Sequence, residues 1–464
     1  MDHSQMDHNL PASGKQPPEQ PADLSVADED EMRVIRDPIF RSAPVEATPI
    51  APHHMAGMDH GAMWQDQCGE IDYVASPQFQ SVQGSGTSRL PGASEPFHDM
   101  CISYLGAAPH YMIGDWMVML HGSVTGIYAN QSGPRGGDKI YAQSMAMVMA
   151  EHDTGWGRIK FNGMFSLEPL MKHNGYPNLF ATGETAQGKA LVDRQHPHDL
   201  FMELSARVDV NTGFGTVFLY GGPVGEPALG PSAFMHRQSA KYNPEAPITH
   251  HWFDSTHITY GVITAGIATP TLQFEASAFR GREPDERRFN IETPKLDSWS
   301  VRATWNPTPQ WAAQVSYGQL KAPEELEPGT NEHRTTASVH YANGRGFSAM
   351  IGVSSKNKNP GRNLTAFLGE ANWDVSDHHT VFGRIENVSN DELFPDPANA
   401  LHDRAFRITK FQVGYAYRFM LGDGPFNLAL GGTLSAFAKP SALDAAYGRH
   451  PMGYTLFAKL SLGR

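Results

Sequence analysis

Two short strings carry most of the chemistry this chain offers beyond ordinary packing. HPHD at 196–199 puts His196, His198 and Asp199 within four residues, and HHWFDSTH at 250–257 adds His250, His251, Asp254 and His257. On an extended backbone residues i and i+2 project to the same side, so His196 and His198 can share one ligand, as can His250 and Asp254. Three or four such N/O donors suit Zn or Cu(II). His236, in the string GPSAFMHR, is a further candidate ligand. A competing reading gives these residues a structural task. A loop folded into a barrel lumen needs polar side chains to satisfy its backbone groups, and the Pro/Gly-rich GGPVGEPALGP then serves as a rigid constriction. Catalysis finds no support: GxSxG and HExxH are absent, and no nucleophile is paired with a base, so the chain is not read as an enzyme.

A second donor set lies near the N-terminus. MDHSQMDH at 1–8 and HHMAGMDHGAM at 53–63 offer His3, His8, His53, His54 and His60 with Met55 and Met58. Imidazole suits Cu(II), Zn and Ni, whereas thioethers suit Cu(I), so mixing the two points to copper ahead of zinc. The alternative is a His-rich low-complexity linker. Residues 1–110 as a whole are rich in Pro, Gly, Ser, Asp, Gln and His, and are expected to be a disordered periplasmic tail. Cys68 and Cys101 within it could close one disulfide or remain two free thiols.

Residues 111–464 must position the loop histidines, and their patterning is that of strands. In 200–210, Leu200, Met202, Leu204, Ala206, Val208 and Val210 share one face, with Glu203, Ser205, Arg207 and Asp209 opposite. In 298–305, Trp299, Val301, Ala303 and Trp305 oppose Ser300, Arg302 and Thr304. A period of two over such lengths marks a strand with one apolar face. About sixteen strands are expected, starting near 116, 140, 157, 200, 214, 257, 271, 298, 311, 333, 345, 363, 379, 405, 426 and 453. Their connectors alternate. Short turns at 152–156, 211–213, 267–270, 306–310, 343–344, 375–378 and 420–425 separate longer links at 129–139, 168–199, 223–256, 280–297, 321–332, 356–362, 389–404 and 437–452. Short periplasmic turns alternating with long external loops is the layout of a transmembrane antiparallel β-barrel.

Composition agrees with that fold class. No apolar run reaches the length of a transmembrane helix. Aromatics such as Trp299, Trp305, Trp311 and Trp373 gather at strand ends, where interfacial girdles sit. A net charge of −13 argues against nucleic acid as a partner and is compatible with attraction of cations. The opening residues lack a basic and an apolar region of the signal-peptide kind, so the sequence is expected to be a mature form or to begin downstream of its natural start. On the first two barrel strands Met117, Met119 and His121 share one face, and Met145, Met147 and Met149 share another. Those faces are expected to look inward, either as a Cu(I) path or as filler beneath a plug.

The strings RQHPHDLFMEL (194–204), GEPALGPSAFMHR (225–237), PITHHWFDSTHITYGV (247–262) and FRGREPDE (279–286) resemble a family of Gram-negative outer-membrane β-barrels, with no assigned activity, found among copper- and heavy-metal-resistance genes. The Met/His strings of the tail are similar to those of the copper-resistance outer-membrane protein B family. The resemblance implies an outer-membrane location and a link to metals. The resulting expectation is a barrel channel or metal-binding porin for copper or another transition metal. Its partners would be outer-membrane lipid, metal ions and periplasmic metal-resistance proteins. The alternatives are a general diffusion porin with structural histidines, and a barrel enzyme with its site in the His-rich loops.

Overall fold

The structure, a computed structural model, describes residues 80–94, 110–421 and 425–462. Sixteen antiparallel strands close into a barrel. In chain order they are β1 (Trp116–Gln131), β2 (Gly137–Thr154), β3 (Gly157–Phe165), β4 (Phe201–Thr212), β5 (Gly215–Gly225), β6 (Thr259–Ala268), β7 (Leu272–Phe279) and β8 (Ser298–Trp305). The second half comprises β9 (Trp311–Leu320), β10 (Asn331–Ala342), β11 (Phe347–Asn359), β12 (Asn363–Asp374), β13 (His379–Asn390), β14 (Phe406–Met420), β15 (Phe426–Ala438) and β16 (Met452–Leu462). Each strand starts within three residues of its predicted position. The ring closes where β16 pairs with β1, from Gly453↔Gln131 to Leu462↔Gly122. A short strand, His110–Ile113, continues the wall beside the first residues of β1.

Alternate connections are short, and β1 begins and β16 ends at the short-turn end. Two links expected to be long are not: 132–136 and 360–362 are themselves brief. There β1 and β2, and β11 and β12, simply run further than a bilayer requires, and the period-two pattern is lost where both faces become polar.

The wall turns its apolar face outward. On β8, Trp299, Val301 and Trp305 are exposed while Ser300, Arg302 and Thr304 are buried, as the alternation predicts. On β4 one residue departs from the predicted phase. The pairing of β4 with β3 slips between Phe201 and Glu203, and this irregularity sends both Met202 and Glu203 inward. An extra residue in one strand of a ladder reverses the facing of what precedes it. Met202 therefore packs in the lumen against Met164, Val224, Ile258 and Tyr260 rather than facing lipid.

The lumen is packed. Residues 166–200 and 226–258 fold inward and carry a core of their own, in which Phe180, Ile248, Trp252 and Phe253 meet the wall residues Met350, Leu364, Val388 and Ile408. Residues 226–258 cross from one wall to the other. At one side Ala228 donates its N–H to Ser277 and Gly230 to Ser316. At the other, Glu245 accepts from Lys410, Thr433 and Thr455. Between them Arg237 bridges Asp254 and Glu370, all three essentially unexposed.

Residues 80–94 also depart from expectation. Composition assigns them to a disordered tail, yet they form a hairpin of Ser81–Gln83 against Arg89–Pro91 inside the barrel. Its tip donates from Thr87 to Glu275 and from the Ser85 N–H to Ser232. A polar Gly/Ser segment that cannot build an apolar core can still be ordered by polar lumen groups that need partners. His3, His8, His53, His54, Met55, Met58, His60, Cys68 and Cys101 lie outside the described residues.

Candidate metal centre

Five of the predicted histidines meet in the lumen. Residues 194–198 run as extended chain above β4, stitched to Tyr176–Pro177 by a two-residue ladder. The segment His250–Phe253 is one helical turn, followed by a tight turn at Ser255–His257. The ring of His196 lies 6.1 Å from that of His250 and 6.2 Å from that of His251. His257 lies 5.1 Å from His250 and 5.3 Å from His198. All five are buried.

Four of them are oriented through Nδ1. His198 Nδ1 meets Glu168 at 2.9 Å and His250 Nδ1 meets Asp254 at 2.7 Å. His257 Nδ1 meets the Asp254 carbonyl at 2.7 Å, and His196 Nδ1 the Pro197 carbonyl at 3.1 Å. Donation from Nδ1 to a carboxylate or carbonyl fixes the tautomer that leaves Nε2 with a free lone pair, as in metal-ligating histidines. The Nε2 atoms of His196, His198 and His257 are buried without a hydrogen-bond partner.

Carboxylates complete the arrangement, and sequence reasoning missed them. Donor atoms of Glu184, His196 and His251 all lie within 4.8 Å of one another, and so do those of His251, Glu283 and Glu324. His196 Nε2 is 3.2 Å from Glu184, and His251 Nδ1 is 3.2 Å from Glu283, but neither approach has hydrogen-bond directionality. Both oxygens of Glu283 are buried with no hydrogen-bond partner. Burial, with the like charge of Glu184, pushes the Glu283 carboxyl up to about 8. Burial and Glu283 likewise raise Glu324 well above the usual carboxylate range. Burial, helped by Arg288, holds His196 well below its ordinary value, so the imidazole is neutral. Crowded acids beside the neutral imidazole of His196, with acceptors left over, are what a cation of charge two would relieve.

The remaining predicted ligands have other duties. Asp199 is salt-bridged to Arg288, which also holds Glu184. Asp254 faces Arg237 and His250, and the guanidinium outweighs burial to keep its carboxyl low. His236 stands elsewhere, near His121, with its Nε2 buried and unpartnered. Gly183 permits the close packing at the centre: its φ is +109°, and a Cβ there would lie 2.4 Å from His251 Nδ1.

No protein-family model and no curated protein matches the sequence. Among solved structures, the chain is similar to Salmonella typhi OmpF in complex with daunomycin, at 8% identity and a TM-score of 0.50, covering 75% of this chain and 99% of that one. An anion-selective porin from Comamonas acidovorans matches at 13% identity and a TM-score of 0.48, with 75% and 99% covered. At such identities the likeness concerns the fold, a sixteen-stranded antiparallel barrel of the outer-membrane porin type.

Proposed function

We propose that this chain is an outer-membrane barrel that binds a divalent transition-metal ion, Cu(II) ahead of Zn(II), inside a plugged lumen. It would serve in metal handling and not as an open diffusion porin or an enzyme. The observation that carries this reading is the Glu283 carboxylate, buried beside His251, Glu324 and Glu184 with neither oxygen hydrogen-bonded. Burial and Glu184 favour the protonated form of this acid, and a metal ion bound with His251 and Glu324 would let it ionise in place. The two donor groups that share His251, one with His196 and Glu184 and one with Glu283 and Glu324, are of a kind that Cu(II) and Zn(II) both accept. The choice of copper rests on the Met/His strings of residues 1–63. Two features support a membrane setting: the outward apolar wall, and the exposed Trp305, Trp311 and Trp373 near one rim with Trp299 and Tyr454 near the other. A lumen filled by side chains from two inward loops speaks against general diffusion.

The test is metal content of the full chain after dialysis against Cu(II), read by mass spectrometry and electron paramagnetic resonance. His251→Ala should lose one tightly held equivalent and its nitrogen hyperfine signature, while the barrel still shows heat-modifiable migration. Unchanged stoichiometry in His251→Ala and Glu283→Gln would remove metal from the lumen.

A further inference from the structure

The inward faces of β1, β2 and β3 differ from the rest of the wall. Elsewhere the lumen side carries mostly Ser, Thr, Arg, Lys and Glu, for example Ser300, Arg302 and Thr304 on β8, with scattered apolar residues such as Met350, Leu364, Val388 and Ile408 where the inward loops pack. Here β1 carries Met117, Met119 and His121 and β2 carries Met145, Met147 and Met149 at alternate inward positions, and β3 adds Met164. Met119 is registered opposite Met149, His121 opposite Met147, and Ser123 opposite Met145. Met147 is in turn opposite Met164 on β3, and Met117 opposite Met112. From above, Met235 packs against the same cluster, next to His236.

We propose that Met119, His121, Met147 and Met149 form a binding site for a soft monovalent d10 cation, Cu(I) or Ag(I), distinct from the N/O centre of the loops. Directly opposed residues on paired antiparallel strands have Cβ atoms about 5 Å apart. Residues i and i+2 on one strand are separated by about 7 Å. The four side chains thus rise from the corners of a rectangle of about 5 by about 7 Å on one face, within reach of a common point above it. Thioethers with imidazole are donors that select Cu(I) over harder ions.

Filling space is the ordinary role of methionine in a core, and exposure speaks against it here. Of the four, Met119 and Met147 are half-buried and His121 is exposed, while Met149 is buried. His236 adds a donor that filling does not explain. Its Nε2 is buried without a partner. Lys459 bounds the site on the long-loop side: it is registered opposite Thr125 and donates to the Lys241 carbonyl. The cation therefore sits toward the short-turn end.

The test uses the full chain and Ag(I), which needs no reductant. Equilibrium dialysis of wild type and of Met119→Leu/Met147→Leu/Met149→Leu should show one Ag(I) fewer per chain in the variant, with Cu(II) at the His251 centre unchanged. Leu keeps volume and apolarity, so the barrel should remain heat-modifiable. A second measurement needs no variant. Peroxide should oxidise Met119 and Met147 of the metal-free protein, and saturating Ag(I) should protect them, as read by peptide mass spectrometry. Equal Ag(I) stoichiometry, or oxidation indifferent to Ag(I), overturns the proposal. Loss of Cu(II) alone in His251→Ala leaves it standing, and its failure leaves the loop centre standing.

Discussion

At the scale of single residues the centre depends on positions that hold no ligand. Asp254 and Asp199 lie inside the predicted strings, yet their carboxylates are spent on Arg237 and Arg288; Asp254 also fixes His250 directly, and Asp199 shares Arg288 with Glu184. Gly183 is the clearest case. Its positive φ disfavours any side chain, and an added methyl would press on the His251 ring. Gly183→Ala should therefore weaken Cu(II) binding about 10–100-fold, the usual cost of disturbing a ligand's support. Titration of the purified barrel against a competing chelator measures this. An affinity within twofold of wild type would show that the His251 position does not matter to binding.

At the scale of elements, the strands were legible because lipid and lumen impose opposite polarities on alternate residues, and only side-chain type is needed to see that. The slip at Phe201–Glu203 was not legible, since Met202 suits either face and only the partner strand reveals the shift. Among the site residues, His196 with His198 and His250 with His251 were visible through their spacing. Glu184, Glu283 and Glu324 were not, because they come from three separate loops that only the closed barrel and its inward folds bring together. The 80–94 hairpin left no periodic signal, for its order comes from polar lumen partners. One of these is Glu226, against which Gly86 packs so closely that a Cβ would lie 2.8 Å away. Burial lifts the Glu226 carboxyl from 4.5 to about 8, with Arg302 opposing. An acid that binds its proton more tightly when folded stabilises the fold fully below the unfolded value. That contribution is lost as pH rises from about 4.5 to about 8. Hydrogen exchange across 81–91, corrected for its intrinsic rate, should accelerate up to roughly a hundredfold between pH 6 and 9. Glu226→Gln should flatten that dependence. A profile identical in the two proteins would mean that Glu226 does not clamp the hairpin.

At the scale of the whole molecule, orientation and occlusion are linked. Short turns and both barrel termini share one end, and the inward loops arise from the other. In an outer membrane the short-turn end faces the periplasm, so the loop centre would lie nearer the outside and the thioether strip nearer the inside. Because the lumen is filled by the core around Phe180, Trp252 and Phe253, a membrane-impermeant maleimide should not pass through it. Two exposed positions report on this: Gly329 in the 321–330 link, where an added side chain meets nothing within 4 Å, and Asp377 in the turn before β13. With Cys68 and Cys101 replaced by Ser, Gly329→Cys on intact cells should label fully and Asp377→Cys only after the outer membrane is permeabilised. Labelling of Asp377→Cys alone would invert the barrel and exchange the two sites' sides. Labelling of both on intact cells would mean an open passage, and the metal ions would then need no binding site to cross.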